Sequence, residues 1–281
     1  MKRSLANFLL SMTIFGTIGL FVDAIPLASG VIALFRAVLG LGVLLLVMAL
    51  TRQKLRLDVI KKDLLLLCIS GGAMGLNWVL LFEAYRHTTV ATATVCYYLA
   101  PAFLMLASPL LGEKLTAKKL LCLGACLVGM VLVTGIDGGN FAGVAFGIGA
   151  AILYACVMFI NRKIRYVSDY ERTVTQMAMS IPVVLVYVLL GGGIRLEGMG
   201  ATQWLLMVVV GIVHTGFAYF LYFGAMGKLP AGTVAVCSYL DPVVAVLLSA
   251  ILIAPIGTPA ICGAVLILGS TLLGQLKMDN G

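Results

Sequence analysis

The heptapeptide VCYYLAP at residues 95–101 returns as VCSYLDP at residues 236–242. Both copies belong to a longer match, because shifting the chain against itself by 141 residues aligns residues 69–101 with residues 210–242 without a gap. Chance similarity between apolar segments would match Leu and Val, whereas this register also matches less common residues. The matched pairs include Gly75 with Gly216, Thr92 with Thr233, Cys96 with Cys237, Tyr98 with Tyr239 and Pro101 with Pro242. We therefore interpret the sequence as an internal duplication.

The composition indicates a membrane protein. Of the 281 residues, 62% are hydrophobic and 11% are charged, and the mean hydropathy is +1.13. A soluble domain carries about 25% charged residues, so this chain lacks the polar surface that a water-soluble globule of its size needs. We predict an all-α integral membrane protein whose apolar side chains face lipid.

Ten apolar runs in the sequence are long enough to cross a bilayer, since a spanning helix needs about 17 to 25 residues. The first run follows a basic N-terminus but continues beyond the length of a signal peptide, so we count it as a span. The connections are short, and none is long enough to fold as a separate domain. The runs cover residues 5–22, 30–50, 64–84, 90–111, 118–136, 143–160, 173–192, 203–223, 231–252 and 259–275.

The basic residues predict the orientation of these spans. Of the 19 Lys and Arg residues, 16 fall in alternate connections, which leaves Arg86 and Arg195 in the other set and Arg36 inside a span. Basic residues concentrate on the cytoplasmic side of membrane proteins, so we expect both termini to be cytoplasmic. This bias also explains the formal net charge of +8, and nucleic acid is not an expected partner.

Five spans in each copy predict an inverted repeat, because an odd number makes the second copy enter the membrane from the opposite side. Inverted repeats are typical of secondary transporters, which bind substrate near the bilayer midplane between the repeats. We expect two five-helix domains, residues 1–138 and residues 139–281. The matched segments predict a substrate site among the third, fourth, eighth and ninth helices.

Residues 82–133 read FEAYRHTTVATATVCYYLAPAFLMLASPLLGEKLTAKKLLCLGACLVGMVLV. This run contains four features in order. Small residues begin the fourth helix, Pro101 lies in its middle, GEKLT follows its end, and the fifth helix carries spaced glycines. Together with LFRAVLG at residues 34–40, the run resembles the EamA-type transporters of the drug/metabolite transporter superfamily. The resemblance implies a ten-helix carrier, commonly an exporter of amino acids, metabolites or drugs.

Two positions depart from a simple repetition of that half-domain. The GEK of the first half is replaced by IAP at residues 253–255, which suits an outward-facing loop that avoids basic charge. Ala100 in the first heptapeptide is replaced by Asp241 in the second. The second departure places an acid near the middle of the ninth helix, directly before a proline.

Ionisable residues within the predicted spans are candidates for the coupling group or for the contact with a substrate charge. A charge at mid-bilayer costs about 2.5 to 3.5 kcal/mol on insertion scales and normally faces a cavity or a partner. The candidates are Asp241, Glu83 and His214. The alternatives are a buried neutral or paired aspartate that fixes helix packing, an interfacial salt bridge for Glu83, and a hydrogen-bonded packing histidine.

Aromatic side chains beside an acid suit cation–π contact with an ammonium group, although packing alone is the alternative. Arg36 lies too far from the helix ends to reach the interface, so we expect it to pair with Asp241 or Glu83. Its alternative role is to bind an anionic substrate group such as a carboxylate. The predicted substrate-binding residues are Trp78, Tyr97, Tyr98, Tyr219, Tyr222, Tyr239, Asn77 and Arg36. Asn77 has the alternative of hydrogen bonding between helices.

The predicted function is secondary active transport of a small polar or cationic metabolite, such as an amino acid, an amine or a quaternary ammonium compound. We expect alternating access by an exporter that exchanges its substrate with protons. An uptake carrier for an organic cation is one alternative. A channel and a membrane-embedded lipid-modifying enzyme are the alternatives from other classes. An enzyme would place its catalytic polar residues at one membrane interface, whereas the polar residues of these predicted spans lie on both sides of the midplane.

The sequence predicts neither a cofactor nor a metal. A phosphate-binding G-x-x-x-x-G-K-[ST] loop is absent from the sequence, which argues against an ATP-driven pump. Cys122 and Cys126 have helical i, i+4 spacing, but no His or second Cys pair stands nearby in the sequence to suggest a metal site. The expected partners are a small-molecule substrate, the lipid bilayer and protons as coupling ion. We expect a monomer or a homodimer in a cell membrane, the bacterial inner membrane.

Overall fold

The computed structural model describes residues 2–52, 54–112, 116–134, 141–226, 228–229, 237–252 and 257–275. Over these residues the chain is helical and contains no strand. The helices are α1 (Lys2–Asp23), α2 (Ser29–Leu50), α3 (Leu57–Ile60), α4 (Leu64–His87), α5 (Val90–Tyr97), α6 (Ala100–Leu106), α7 (Ala117–Thr134), α8 (Phe141–Asn161), α9 (Asp169–Leu190), α10 (Ala201–Gly211), α11 (Ala218–Met226), α12 (Leu240–Leu252) and α13 (Thr258–Gln275). A π-helical turn, Ile212–Phe217, joins α10 to α11.

Helices long and apolar enough to cross a membrane confirm the membrane prediction. Within the described ranges there are six: Lys2–Asp23, Ser29–Leu50, Leu57–His87, Phe141–Asn161, Asp169–Leu190 and Ala201–Ala225. Four shorter apolar helical segments overlap the remaining predicted runs: Val90–Leu106, Leu120–Leu132, Leu240–Leu252 and Thr258–Ser270. The count of ten spanning helices therefore stays a prediction.

The fourth predicted span is broken into α5 and α6 rather than continuous. Pro101 lies in the first turn of α6, and it has no N–H to donate to the carbonyl of Tyr97 one turn earlier. The Tyr98 N–H bonds to the Thr94 carbonyl at 3.0 Å, and the Leu99 N–H closes a tighter turn. The break leaves two adjacent tyrosines at the end of α5.

Close packing of α4 against α9 depends on glycines. A Cβ atom at Gly71 would lie 2.6 Å from the carbonyl oxygen of Gln176, and one at Gly75 would lie 2.7 Å from Val184 Cγ2. Both distances are far shorter than van der Waals contact. Small residues at this spacing let membrane helices approach closely, and they bring α9 against the central helix α4.

Helices from the two halves of the chain pack against each other. α1 contacts α11 and α12, α5 contacts α12, and α7 contacts α13. Two of these contacts join residues that are counterparts in the 141-residue register. The ring centroids of Tyr98 and Tyr239 lie 6.2 Å apart, and Cys126 Sγ lies 4.0 Å from the carbonyl oxygen of Ile267.

The outer surface of the bundle is apolar. Leu121, Phe141 and Leu190 are each about 80% exposed, whereas Phe82 and Met177 are fully buried between α4, α2 and α9. Extended apolar surface of this kind marks contact with a membrane or another protein. This apolar surface and the long apolar helices together indicate that the outer faces of the bundle contact lipid.

Candidate functional site

A cavity of about 300 Å³ lies between helices α1, α2, α4, α5, α8, α9, α11 and α12. Most of the predicted site residues line it: Arg36, Asn77, Trp78, Tyr97, Tyr98, Tyr219, Tyr222 and Asp241. Tyr239 is buried beside the cavity, with its ring 6.2 Å from that of Tyr98. The matched copies of the internal duplication therefore do supply much of one shared cavity.

One hydrogen bond in the cavity joins the two heptapeptides. The Tyr98 hydroxyl donates a hydrogen bond of 2.7 Å to Asp241 Oδ2. Tyr98 is placed by the break after α5, and Asp241 stands in the first turn of α12, next to Pro242. A carboxylate has about four acceptor positions, so Asp241 keeps acceptor capacity for a further donor.

The predicted pairing of Arg36 with an acid is wrong. No ion pair in the described part of the chain joins Arg36 to Asp241 or Glu83. Arg36 Nε instead donates to Thr215 Oγ1 at 2.8 Å, and the guanidinium carbon lies 4.4 Å from the ring centroid of Trp78. The aromatic face and the hydroxyl replace the expected carboxylate, so a positive and a negative group border the same cavity without pairing.

Glu83 and His214 lie outside the cavity lining. Glu83 Oε2 is 3.7 Å from His87 Nε2, one turn along α4, which is the interfacial arrangement named as its alternative role. His214 is buried in the π-helical turn, and its Nε2 is 2.8 Å from Thr17 Oγ1 on α1. The imidazole ring also packs 4.6 Å from the ring of Phe21. Its surroundings fit helix packing.

Asn77 combines the two roles considered for it. Its Nδ2 donates a 2.6 Å hydrogen bond to the carbonyl of Ala150, which ties α4 to α8. Its Oδ1 accepts a long hydrogen bond, 3.4 Å, from the Tyr97 hydroxyl. The side chain therefore holds two helices together and also orients a tyrosine on the cavity wall.

Several other residues of the cavity could not be predicted from the sequence, because they lie on α8 and α9, outside the matched copies, or are weakly polar. Tyr154 stacks on Tyr97 with ring centroids 5.1 Å apart. Gln176 Nε2 donates to Ser70 Oγ and to Asn161 Oδ1, each at 2.6 Å. The spacing of these residues along α8 and α9 gave no periodic signal that could separate cavity lining from ordinary packing. Thr94, Tyr85 and Arg172 also line the cavity.

A metal site is not apparent in the residues that the structure describes. They contain no group of three or more His, Cys, Asp or Glu side chains that could hold a metal ion. The described residues that line the cavity offer one carboxylate (Asp241), two guanidinium groups (Arg36 and Arg172), hydroxyls, amides and aromatic faces. These groups bind polar and charged organic molecules by hydrogen bonds, ion pairs and cation–π contacts.

Comparison with known proteins shows the same two-part organisation. The family model described as "EamA-like transporter family" matches residues 3–135 and, a second time, residues 141–274. The uncharacterized transporter YxxF of Bacillus subtilis (strain 168) is 28% identical over 260 residues, which cover 89% of this chain and 82% of that protein. An uncharacterized transporter of Archaeoglobus fulgidus is 26% identical over 163 residues, covering 58% of each chain.

One solved crystal structure of another protein shares the fold. It superimposes with a TM-score of 0.67, covers 98% of this chain and 97% of its own, and is 18% identical in sequence. At this identity the likeness concerns the path of the helices alone.

Proposed function

The chain belongs to the EamA-like transporter family, and from this premise we propose that it transports a small molecule bearing an amine or ammonium group. The family and the names of the two relatives point to a transporter and not to an enzyme. The candidate substrates are amino acids, amines and quaternary ammonium compounds. Transport proceeds by alternating access, as export in exchange for protons.

The hydrogen bond between Tyr98 and Asp241 carries this proposal. It places a carboxylate in a cavity within the helix bundle, where a charge that is not neutralised is costly. Either a proton or a substrate amine can neutralise this carboxylate. If the two compete for it, inward proton flow drives outward movement of the amine.

The aromatic wall suits an organic cation. Tyr97, Tyr98, Tyr219 and Tyr222 all line the cavity, and tyrosine rings attract ammonium groups through their faces. The face of Trp78 is already occupied by Arg36, so in this proposal the tyrosines, rather than Trp78, meet the substrate cation. The hydroxyl groups of the same tyrosines supply hydrogen-bond partners for the rest of the substrate.

The proposed architecture has ten spanning helices in two inverted five-helix domains, residues 1–138 and residues 139–281. The double family match and the contacts between counterpart residues, Tyr98 with Tyr239 and Cys126 with Ile267, support it. Residues that contact their own counterparts are expected beside a two-fold axis. The distribution of basic residues supports cytoplasmic termini in the bacterial inner membrane, where the protein acts as a monomer or a homodimer.

Flux measurements in proteoliposomes test the proposed function. The purified protein is reconstituted, and the flux of amino acids, amines and choline is measured with and without an imposed pH gradient. We expect saturable flux of at least one amine-bearing compound, accelerated when protons move in the opposite direction. Protein-free liposomes and a gradient collapsed by an ionophore are the controls.

Each contrary result has a distinct meaning. A flux that rises linearly with concentration would identify a channel. A saturable flux that ignores the pH gradient would remove proton exchange, and chemical modification of the compound would identify an enzyme. Coupled movement only in the uptake direction would favour the organic-cation uptake carrier over the exporter.

A further inference from the structure

Two connections of the chain pack against each other at one end of the helix bundle. Asp63 Oδ2 accepts hydrogen bonds from the backbone N–H groups of Arg165, at 3.2 Å, and Tyr166, at 2.9 Å. A small buried apolar cluster joins the same two segments and consists of Ile60, Leu67 and Ile164. These contacts fix the start of α4 against the connection between α8 and α9, although Asp63 and Arg165 are 102 residues apart in the sequence.

This packing gathers three exposed cations, Lys61, Lys62 and Arg165, into what we call the basic surface. Lys62 Nζ lies 5.3 Å from the ring centroid of Tyr166, the residue that follows Arg165. In the part of the chain that the structure describes, none of the three cations forms an ion pair with an acid. Like charges this close repel one another, so an anion bound between them would be stabilised.

The acids nearest to the basic surface do not neutralise it. Asp63 is 6% exposed, and its carboxylate is engaged by the two backbone N–H groups. Glu171 is 4% exposed and pairs with Arg56. Asp58 is exposed, but it lies within electrostatic reach of the same Arg56. The charge that the basic surface presents outward is therefore positive.

The basic surface continues into the apolar outer face of α4. Leu65 and Ile69 lie one turn apart at the start of this helix and are 72% and 51% exposed. The ring of Tyr166 is 57% exposed beside Lys62, and tyrosines are enriched where a membrane meets water. A ligand that covers both parts needs an anionic head and an apolar tail.

We propose that Lys61, Lys62 and Arg165 bind the phosphate of an anionic phospholipid whose acyl chains lie along Leu65 and Ile69. Basic clusters at the end of a membrane helix attract anionic headgroups, and the guanidinium can donate two parallel N–H groups to phosphate oxygens. A free phosphate would meet the cations but leave the exposed leucine and isoleucine uncovered. The site lies on the side of the membrane where basic residues concentrate, which the positive-inside rule makes cytoplasmic.

The lipid site is separate from the central cavity, because none of its residues lines that cavity. It therefore does not depend on which substrate the protein carries.

Lipid titrations of the purified full-length protein test the site. The protein is kept in an uncharged detergent and titrated with dioleoyl phosphatidylglycerol or with dioleoyl phosphatidylcholine, which has the same acyl chains but no net charge. Native mass spectrometry measures the bound lipid. We expect phosphatidylglycerol to bind at least about tenfold more tightly, since each cation near an anionic headgroup contributes about fivefold in affinity. This preference should fall as the salt concentration rises.

Paired substitutions assign the preference to the basic surface. Lys62→Gln/Arg165→Gln should lower it by at least about fivefold and should leave the melting temperature without added lipid unchanged, because both side chains are exposed. Lys62→Arg/Arg165→Lys keeps both charges and should retain the preference. Lys2→Gln/Arg3→Gln is the matched control, since it also removes one exposed lysine and one exposed arginine, but from the start of α1.

Three results would overturn the lipid site. Equal binding of the two lipids by the wild type would leave the three cations with a role in orienting the chain alone. An equal loss of preference in Lys62→Gln/Arg165→Gln and in Lys2→Gln/Arg3→Gln would show that net charge, and not this surface, attracts the lipid. Displacement of phosphatidylglycerol by an equal concentration of glycerol 1-phosphate would identify a site for a soluble phosphate instead.

Discussion

The Tyr98 hydroxyl donates a 2.7 Å hydrogen bond to Asp241 Oδ2, and the two residues come from the two copies of one heptapeptide. The counterpart of Tyr98 is Tyr239, but the counterpart of Asp241 is Ala100, which is fully buried. The tyrosine is therefore present in both copies of the heptapeptide, whereas the carboxylate is present in one. A single carboxylate avoids the repulsion that two acids in one cavity would experience, and it gives the cavity one position for a cation.

Removing the Tyr98 hydroxyl should weaken substrate binding. In Tyr98→Phe the Asp241 carboxylate loses a donor and is no longer held in one orientation. We expect the half-saturation concentration for a transported amine to rise about tenfold, the effect of losing a hydrogen bond to a charged group. Tyr187→Phe is the control, since Tyr187 is 43% exposed on α9 and lies outside the cavity lining. Equal kinetics in the two variants would contradict a role for the Tyr98 hydroxyl.

Neutralising Asp241 should uncouple transport from protons. Asp241→Asn keeps the shape of the side chain but cannot exchange a proton, so we expect flux in proteoliposomes to lose its response to a pH gradient. Binding of cations should weaken more than binding of neutral compounds. Glu83→Gln is the matched control, because Glu83 pairs with His87 outside the cavity and should leave coupling intact. Coupling of wild-type strength in Asp241→Asn would show that Asp241 is structural.

A side chain at Gly16 should disturb the site through the backbone of α12. A Cβ atom at Gly16 would lie 2.5 Å from the carbonyl oxygen of Asp241 and 2.7 Å from Val244 Cβ. We expect Gly16→Ala to lower stability by about 1 to 3 kcal/mol, as overpacking does, and to reduce flux. A Cβ atom at Gly42 would meet no atom within 4 Å, so Gly42→Ala should not lower the melting temperature. Equal melting temperatures for Gly16→Ala and wild type would refute this contact.

The Arg56–Glu171 ion pair should contribute more to stability than the adjacent ion pair between Asp169 and Arg172. Glu171 is 4% exposed and accepts from Arg56 Nε at 2.9 Å and from Ser168 Oγ at 2.8 Å. We expect Glu171→Gln to destabilise the protein by about 1 to 3 kcal/mol. Asp169→Asn removes an ion pair with Arg172 in which the carboxylate is far more exposed than that of Glu171, and it should cost at most about 1 kcal/mol. Thermal unfolding of the two variants measures the stability that each one loses. A larger loss of stability in Asp169→Asn than in Glu171→Gln would contradict this prediction.

The orientation of the chain can be tested with reporter fusions. Arg165 lies in a connection rich in basic residues, whereas Arg195 lies in the sparse set. The positive-inside rule predicts that a reporter fused after residue 165 is cytoplasmic and that one fused after residue 195 is external. A cytoplasmic reporter at 195 would refute the inverted topology.

Much of the fold could be predicted because its signals are properties of the sequence. The apolar composition indicated the membrane, and the repeated heptapeptide indicated the duplication that the double family match shows. The break between α5 and α6 was harder to predict from the sequence, since a proline in a membrane helix can either bend the helix or interrupt it. The predicted span boundaries agree to within four residues with the long helices α1, α2, α4, α8 and α9, where the apolar pattern is continuous.

The sequence by itself determined the class of protein, the family and the stretch of chain from which the cavity is built, because composition and order decide what faces lipid and what is duplicated. The tertiary structure decided which polar groups meet. An α-helix turns about 100° for each residue, so helix rotation, the break at Pro101 and the π-helical turn decide which way each side chain faces. For this reason Tyr98 contacts Asp241, His214 contacts Thr17 on α1, and Arg36 lies against Trp78 rather than in an ion pair with Asp241 or Glu83.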